Sequence, residues 1–332
     1  KASAAGGGGR WPKSPPLRRR PVWPAASPEL YRRLPEVLAQ RVLELVPRPA
    51  QVAAFLGAEP AVLWRSGEGV RRFDGPSSAE AAVADVQVFP DGERLITVGV
   101  DGLAKVWNIS TRRLLHRFRH CSASTPLLDL QVFPDSDKVI TLGPCSMALI
   151  WSLSLGRVLQ QLDFADMEYH RMARVLPAGD KVVTGVSGVA SEPTIVWSVS
   201  DGRRLLELRH SRGRVRHLEV SPCGEKIVTA GAEAACLWNV ATGTLVSQLI
   251  ARIRVAAGVA ISEGGRRLVI GSWDPRKLLL WNVGTSRAPL LHTGGSVVAL
   301  LMLPGDRLLV CSDSKVSVWS LASRRLLREL LG

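Results

Sequence analysis

The sequence predicts an all-β fold built from seven consecutive four-stranded antiparallel units. Three observations carry that expectation. First, Trp64, Trp107, Trp151, Trp197, Trp238, Trp281 and Trp319 recur at intervals of 43, 44, 46, 41, 43 and 38 residues. Second, each closes an apolar run, as in Lys105-Val106-Trp107-Asn108, Leu149-Ile150-Trp151-Ser152 and Val316-Ser317-Val318-Trp319. Third, a strand-like run ending in a turn precedes each Trp by roughly 15–20 residues. A fixed period of about 43 residues marks a repeat architecture, and four short strands per period mark a propeller blade.

Each blade can be justified strand by strand. Val86-Gln87-Val88-Phe89-Pro90-Asp91-Gly92 reads as an inner strand and its turn, and Leu130-Gln131-Val132-Phe133-Pro134-Asp135-Ser136 repeats it. Pro presets φ and Gly supplies φ > 0, so Pro-Asp-Gly is a turn with a mechanism. Leu218-Glu219-Val220-Ser221-Pro222-Cys223-Gly224 and Leu301-Met302-Leu303-Pro304-Gly305-Asp306 are later copies. A second run follows, such as Arg94 to Val98 or Lys226 to Ala230, then a short polar turn and the Trp strand. A fourth run closes the unit, as at Arg113-Leu114-Leu115, Arg204-Leu205-Leu206 and Arg325-Leu326-Leu327. The first copy is the faintest: 41–47, 51–55, 61–64 and 69–73 read as its four strands.

The blades are expected at about 41-74, 83-118, 127-162, 170-208, 215-249, 256-291 and 296-331, within a 41-332 propeller. Residues 1-27 are Pro- and Arg-rich and read as a disordered tail; 28-40 read as a short helix with Ser27 as N-cap. Ten of the 18 aromatic residues are Trp. The seven periodic ones are expected to be blade core, each burying about 150–250 Å². Trp11, Trp23 and Trp273 stand outside the series.

Composition narrows the function. The 332 residues are 46% hydrophobic, enough to build a core. No apolar run approaches the ~18 residues of a membrane span. Five scattered Cys without C-x-x-C spacing argue against a disulfide scaffold and a zinc site, and suit an intracellular compartment, cytoplasmic or nuclear. The net charge of +14 comes mainly from Arg, and residues 1–40 contribute eight basic against two acidic groups. Abundant Ala, Gly, Arg and Pro together fit a compositional bias; an acidic or phosphate-rich partner is the other reading. The six His lack metal spacing, and no Gly-x-Ser-x-Gly, Walker loop or Gly-x-Gly-x-x-Gly occurs. The expectation is therefore a protein without catalytic residues, metal or cofactor.

At this point the chain resembles the WD-repeat β-propeller family, over 41–332. The family's Asp six residues before the Trp is matched by Asp101 and Asp313, and by Asp274 if its turn is one residue longer. The family's loop His is matched by His120, His210 and His292. Trp-Asp itself is absent after the third strand of each unit, where Asn, Ser or Arg follows the periodic Trp, so the repeats are divergent. The resemblance implies an Asp–His–Ser/Thr–Trp hydrogen-bond network that most blades would hold incompletely; the seventh, with His292, Asp313 and Trp319, comes nearest. It also implies a scaffold that binds proteins or peptides through loops of the narrower face. There the sequence points to Arg209, Arg212, Arg214, Arg252, Arg254, Trp273 and Arg276 as partner-binding residues, since exposed Trp and Arg make good interface anchors. Partners are expected to be other proteins of a multi-subunit complex, without membrane insertion or required self-association. The alternative is a nucleic-acid-associated propeller that meets RNA through the tail and the Arg cluster.

Overall fold

The computed structural model describes residues 52–55, 62–65, 69–72, 83–99, 101–120, 127, 129–143, 147–164, 170–186, 193–210, 215–231, 233–250, 255–262, 264–272, 277–285, 289–293, 297–303, 305–312 and 315–331. The expected tail at 1-27 and helix at 28-40 lie outside them, as does the expected inner strand at 41–47. Among the described residues the fold is all-β, with no helix.

The first sheet has three described strands: β1 (Val52–Phe55), β2 (Val62–Arg65) and β3 (Gly69–Arg72). Six four-stranded sheets follow. The second comprises β4 (Val83–Val88), β5 (Arg94–Gly99), β6 (Leu103–Asn108) and β7 (Leu114–Arg119). The third comprises β8 (Asp129–Val132), β9 (Lys138–Leu142), β10 (Met147–Ser152) and β11 (Arg157–Asp163). The fourth runs through β12 (His170–Val175), β13 (Lys181–Val186), β14 (Thr194–Ser198) and β15 (Arg204–Leu208). The fifth runs through β16 (Val215–Val220), β17 (Lys226–Gly231), β18 (Ala234–Asn239) and β19 (Leu245–Ile250). The sixth is β20 (Val255–Ile261), β21 (Arg267–Ser272), β22 (Lys277–Asn282) and β23 (Leu290–His292); the seventh is β24 (Val297–Leu303), β25 (Arg307–Ser312), β26 (Lys315–Ser320) and β27 (Arg325–Leu331). Every sheet is an antiparallel meander in chain order. The first strands of successive sheets, β1, β4, β8, β12, β16, β20 and β24, pack side by side in that order.

Local chemistry sets these strands. In the turn after β4, the Gly92 amide donates to the Phe89 carbonyl at 2.9 Å, and the Asp91 carboxylate accepts from the Glu93 and Arg94 amides. Gly92 has φ 69°, the left-handed region that Gly enters without a Cβ penalty. After the third strand of the second and fifth sheets an Asn closes the next turn. Asn108 accepts from the Thr111 amide at 2.8 Å, and Asn239 accepts from Ala241 and Thr242. A left-handed residue ends this turn. It is Gly156, Gly202 and Gly243 in the third to fifth sheets, but Arg112 (φ 59°) in the second and Arg324 (φ 57°) in the seventh. A left-handed non-Gly residue costs roughly 1–2 kcal/mol.

The third and fourth strands slip by a bulge at the Trp itself, between Val106 and Trp107, Ile150 and Trp151, Val196 and Trp197, Leu237 and Trp238, and Val318 and Trp319. The core lies between sheets. The Trp-bearing face of each packs on the preceding sheet: Trp151 meets Phe118 with ring centroids 5.0 Å apart, and Trp197 meets Phe164 edge-on at 5.7 Å. Trp107, Trp151, Trp197, Trp238 and Trp281 are all buried, whereas Trp319 is partly buried. Trp64 lies on β2, paired with Ala53 and Val70.

Candidate functional site

In the second to fifth sheets the Trp is tied to the second strand by one hydroxyl. The indole Nε1 of Trp107, Trp151, Trp197 and Trp238 donates to the Oγ1 of Thr97, Thr141, Thr184 and Thr229 at 3.0, 3.0, 2.8 and 2.9 Å. The register explains where this stops. The residue facing the position two before the Trp is Thr in those four sheets, but Ile270 in the sixth and Val310 in the seventh. Trp281 therefore donates to the Thr285 carbonyl at 3.3 Å, and Trp319 to Ser317 of its own strand at 2.9 Å.

One sheet extends the network to His. His120 Nδ1 lies 2.8 Å from Thr141 Oγ1, which also accepts from Trp151. A hydroxyl oxygen has two acceptor sites and one proton, so Thr141 can hold Trp151 and the neutral His120 ring together. Nε2 makes no well-formed hydrogen bond. The sequence position of the family Asp is here Cys145, outside the described residues. Burial, countered weakly by the Met147 backbone, lowers the His120 pKa to about 4. Asp101 sits where the family Asp is expected, but its partner is Lys105, at 3.8 Å, and it also accepts from the Leu103 amide. Burial lowers the Lys105 pKa; Asp101 opposes this and Arg117 reinforces it. His210 is half-buried on the fourth sheet's trailing loop, and His292 ends β23. Asp274 and Asp313 lie outside the described residues.

A second cluster occupies the inner strands, where side chains join neighbouring sheets. The Gln87 amide mimics a peptide: its Nε2 donates to the Leu130 carbonyl at 2.7 Å and its Oε1 accepts from the Val132 amide at 3.0 Å. Asp129 Oδ2 accepts from the Ala173 amide at 2.7 Å and lies 3.6 Å from the Arg174 guanidinium. Arg174 in turn donates to Glu219 at 3.0 Å. These groups tie β4 to β8, β8 to β12 and β12 to β16. His217 on β16 is lowered to about 4, by burial first and then by Arg174 and Arg216. Replacing Arg174 with Met is expected to raise the His217 pKa toward 6.5, read as a shifted imidazole titration by NMR. An unmoved titration would contradict the Arg174 contribution.

The structure puts Arg174 within β12, with acidic partners on both sides. The inner cluster was missed, although its signal is visible. Gln87, Gln131, Arg174 and Glu219 all stand two residues before the first turn of their sheet. Of the residues expected to bind partners, Arg209 is exposed and pairs with Glu207 at 2.9 Å. Arg212, Arg214, Arg252, Arg254, Trp273 and Arg276 lie outside the described residues. Among the described residues no group of three or more His, Cys, Asp or Glu could hold a metal, and no helix is long and apolar enough to cross a membrane.

The family model described as WD domain, G-beta repeat, matches residues 67–108, which span β3 to the end of β6. No curated protein matches the chain. With that match set on a run of four-stranded antiparallel sheets, each carrying its Trp at one register position, the chain carries a WD repeat at 67–108 and is similar to the WD-repeat family.

Proposed function

We propose that the chain is a non-enzymatic interaction scaffold, a closed seven-bladed propeller that holds partner proteins or peptides within a multi-subunit complex through loops of one face. The observation that carries this reading is the inner cluster. Asp129, Arg174 and Glu219 are spent on one another across three sheets, so the inner charges serve blade packing. Recognition is then left to the loops that a rigid scaffold displays. Closure draws support from the seventh sheet. Leu309, Val316 and Val318 face away from the sixth sheet yet are at most 3% exposed, as a face covered by a further blade would be. The partner-binding residues in this reading are Arg209, Arg212, Arg214, Arg252, Arg254, Trp273 and Arg276.

The test is affinity capture with the full chain and with a Trp273→Ala, Arg214→Glu variant, each with and without nuclease. Wild type is expected to retain a defined protein partner after nuclease, and the variant to lose it. The same partners in every lane would remove the loop site. Capture abolished by nuclease, and falling steeply with salt, would replace the protein partner with RNA.

A further inference from the structure

The outer rim offers a surface independent of the loops. Among the described residues β7 is the terminal strand of its sheet, and no described strand pairs with the backbone N–H and C=O groups of its outer edge. Residues 111–120 hold Arg112, Arg113, Arg117 and Arg119 and no acidic residue. All four Arg are exposed, and no ion pair of theirs occurs among the described residues. Leu114 and Leu115 beside them are 45% and 43% exposed.

The corresponding edge of the fourth sheet is different. Its sequence repeats Arg-Arg-Leu-Leu at 203–206, but its cations are engaged. Arg203 pairs with Asp201 at 3.4 Å and Arg209 with Glu207 at 2.9 Å. Arg204 donates to the Asp163 carbonyl at 3.0 Å and lies 5.2 Å over the Trp197 ring. The turn into β15 uses Gly202 in the left-handed region, where the turn into β7 uses the strained Arg112. Charge on an edge guards against pairing with a second copy. That protection needs neither four unbalanced cations of one sign nor an Arg where Gly would fit without strain.

We propose that the outer edge of β7 docks an extended segment of a partner protein, rich in acidic residues alternating with apolar ones, which adds as a fifth strand. The edge supplies main-chain hydrogen bonds. Arg117 and Arg119, alternating with Leu115 on one face of β7, meet the acidic positions; Leu114 and Leu115 meet the apolar ones. Nucleic acid fits less well. The two exposed Leu would face phosphate, and the strand offers no exposed aromatic ring for base stacking, since Phe118 is buried and His116 stacks on it at 5.9 Å.

The test uses the full chain and a fluorescent peptide, Glu-Val-Glu-Leu-Glu-Val-Glu-Leu, followed by anisotropy. Saturable binding is expected, weakened at least about tenfold in an Arg117→Glu, Arg119→Glu variant whose melting temperature is unchanged. It should be unaffected in a charge-matched Arg157→Glu, Arg203→Glu variant. A peptide with Pro at two central positions should not bind, because Pro lacks the N–H that pairing needs. The proposal is overturned by absent binding, by equal loss in both variants, or by a Pro peptide that binds as well. Tighter binding of oligouridine or of phosphatidylserine vesicles would overturn it too.

Discussion

A Trp197→Ala chain is expected to unfold with a loss of about 3–5 kcal/mol, the range for truncating a buried aromatic. Trp197 is 2% exposed between the third and fourth sheets. Its removal opens a cavity against Phe164 and Val182, strands the Thr184 hydroxyl that its Nε1 reaches at 2.8 Å, and takes the ring from beneath Arg204. The stranded hydroxyl adds to the cavity term, because an unsatisfied buried polar group costs about 1–3 kcal/mol. Trp197→Phe separates the two: it retains most of the volume and loses only the hydrogen bond. Trp319→Ala should cost less, since Trp319 is partly buried and donates within its own strand. Chemical denaturation followed by far-UV circular dichroism measures all three. Equal losses for Trp197→Ala and Trp319→Ala would contradict the burial ranking.

The Trp positions were legible because one register position recurs in every sheet. A bulge and a neighbouring sheet demand a large ring there, and the demand repeats with the sheet. The first turn was equally legible at Pro90-Asp91-Gly92, where the residues that favour the turn also make its hydrogen bonds. The hydroxyl partner was harder to read. Thr97, Thr141, Thr184 and Thr229 face the strand position two before the Trp, and only the strand register shows that Ile270 and Val310 replace them. The seventh blade was expected to come nearest to the family network, from His292 and Asp313. Asp313 and the His292 side chain lie outside the described residues, and a described network that reaches a His is in the third sheet, through His120, Thr141 and Trp151. Arg174 shows why a charge count misleads about a surface. Its two acidic partners come from sheets about 45 residues away on either side, so its neutralisation is a tertiary fact. Arg117 and Arg119 are the opposite case, with the same residue type left unbalanced on an edge.

Stability is expected to fall as the pH drops from about 6.5 to about 4, ahead of carboxylate titration. His120 is 8% exposed, and its pKa is lowered by burial from 6.5 to about 4. An unfolded chain therefore binds a proton near pH 6 that the folded chain refuses. The contribution of the neutral ring is fully present above about pH 6.5, declines through the interval, and is gone below about pH 4. At about 1.4 kcal/mol per pH unit, the window corresponds to roughly 3 kcal/mol for His120, and His217 acts in the same direction over the same range. When His120 is charged its Nδ1 must donate to Thr141, so the Thr141 oxygen then accepts from both His120 and Trp151. Asp135 and Asp137 have lowered pKa values, so their contribution persists at mild acidity and is lost only at lower pH. Thermal melts between pH 7.5 and 4.5 on wild type and His120→Asn test this, because Asn keeps a polar atom near the Nδ1 position but does not titrate. The variant should be less stable at pH 7.5 and lose less on acidification, so the two curves converge toward pH 4.5. Parallel curves would show that His120 is not the group that senses the acid.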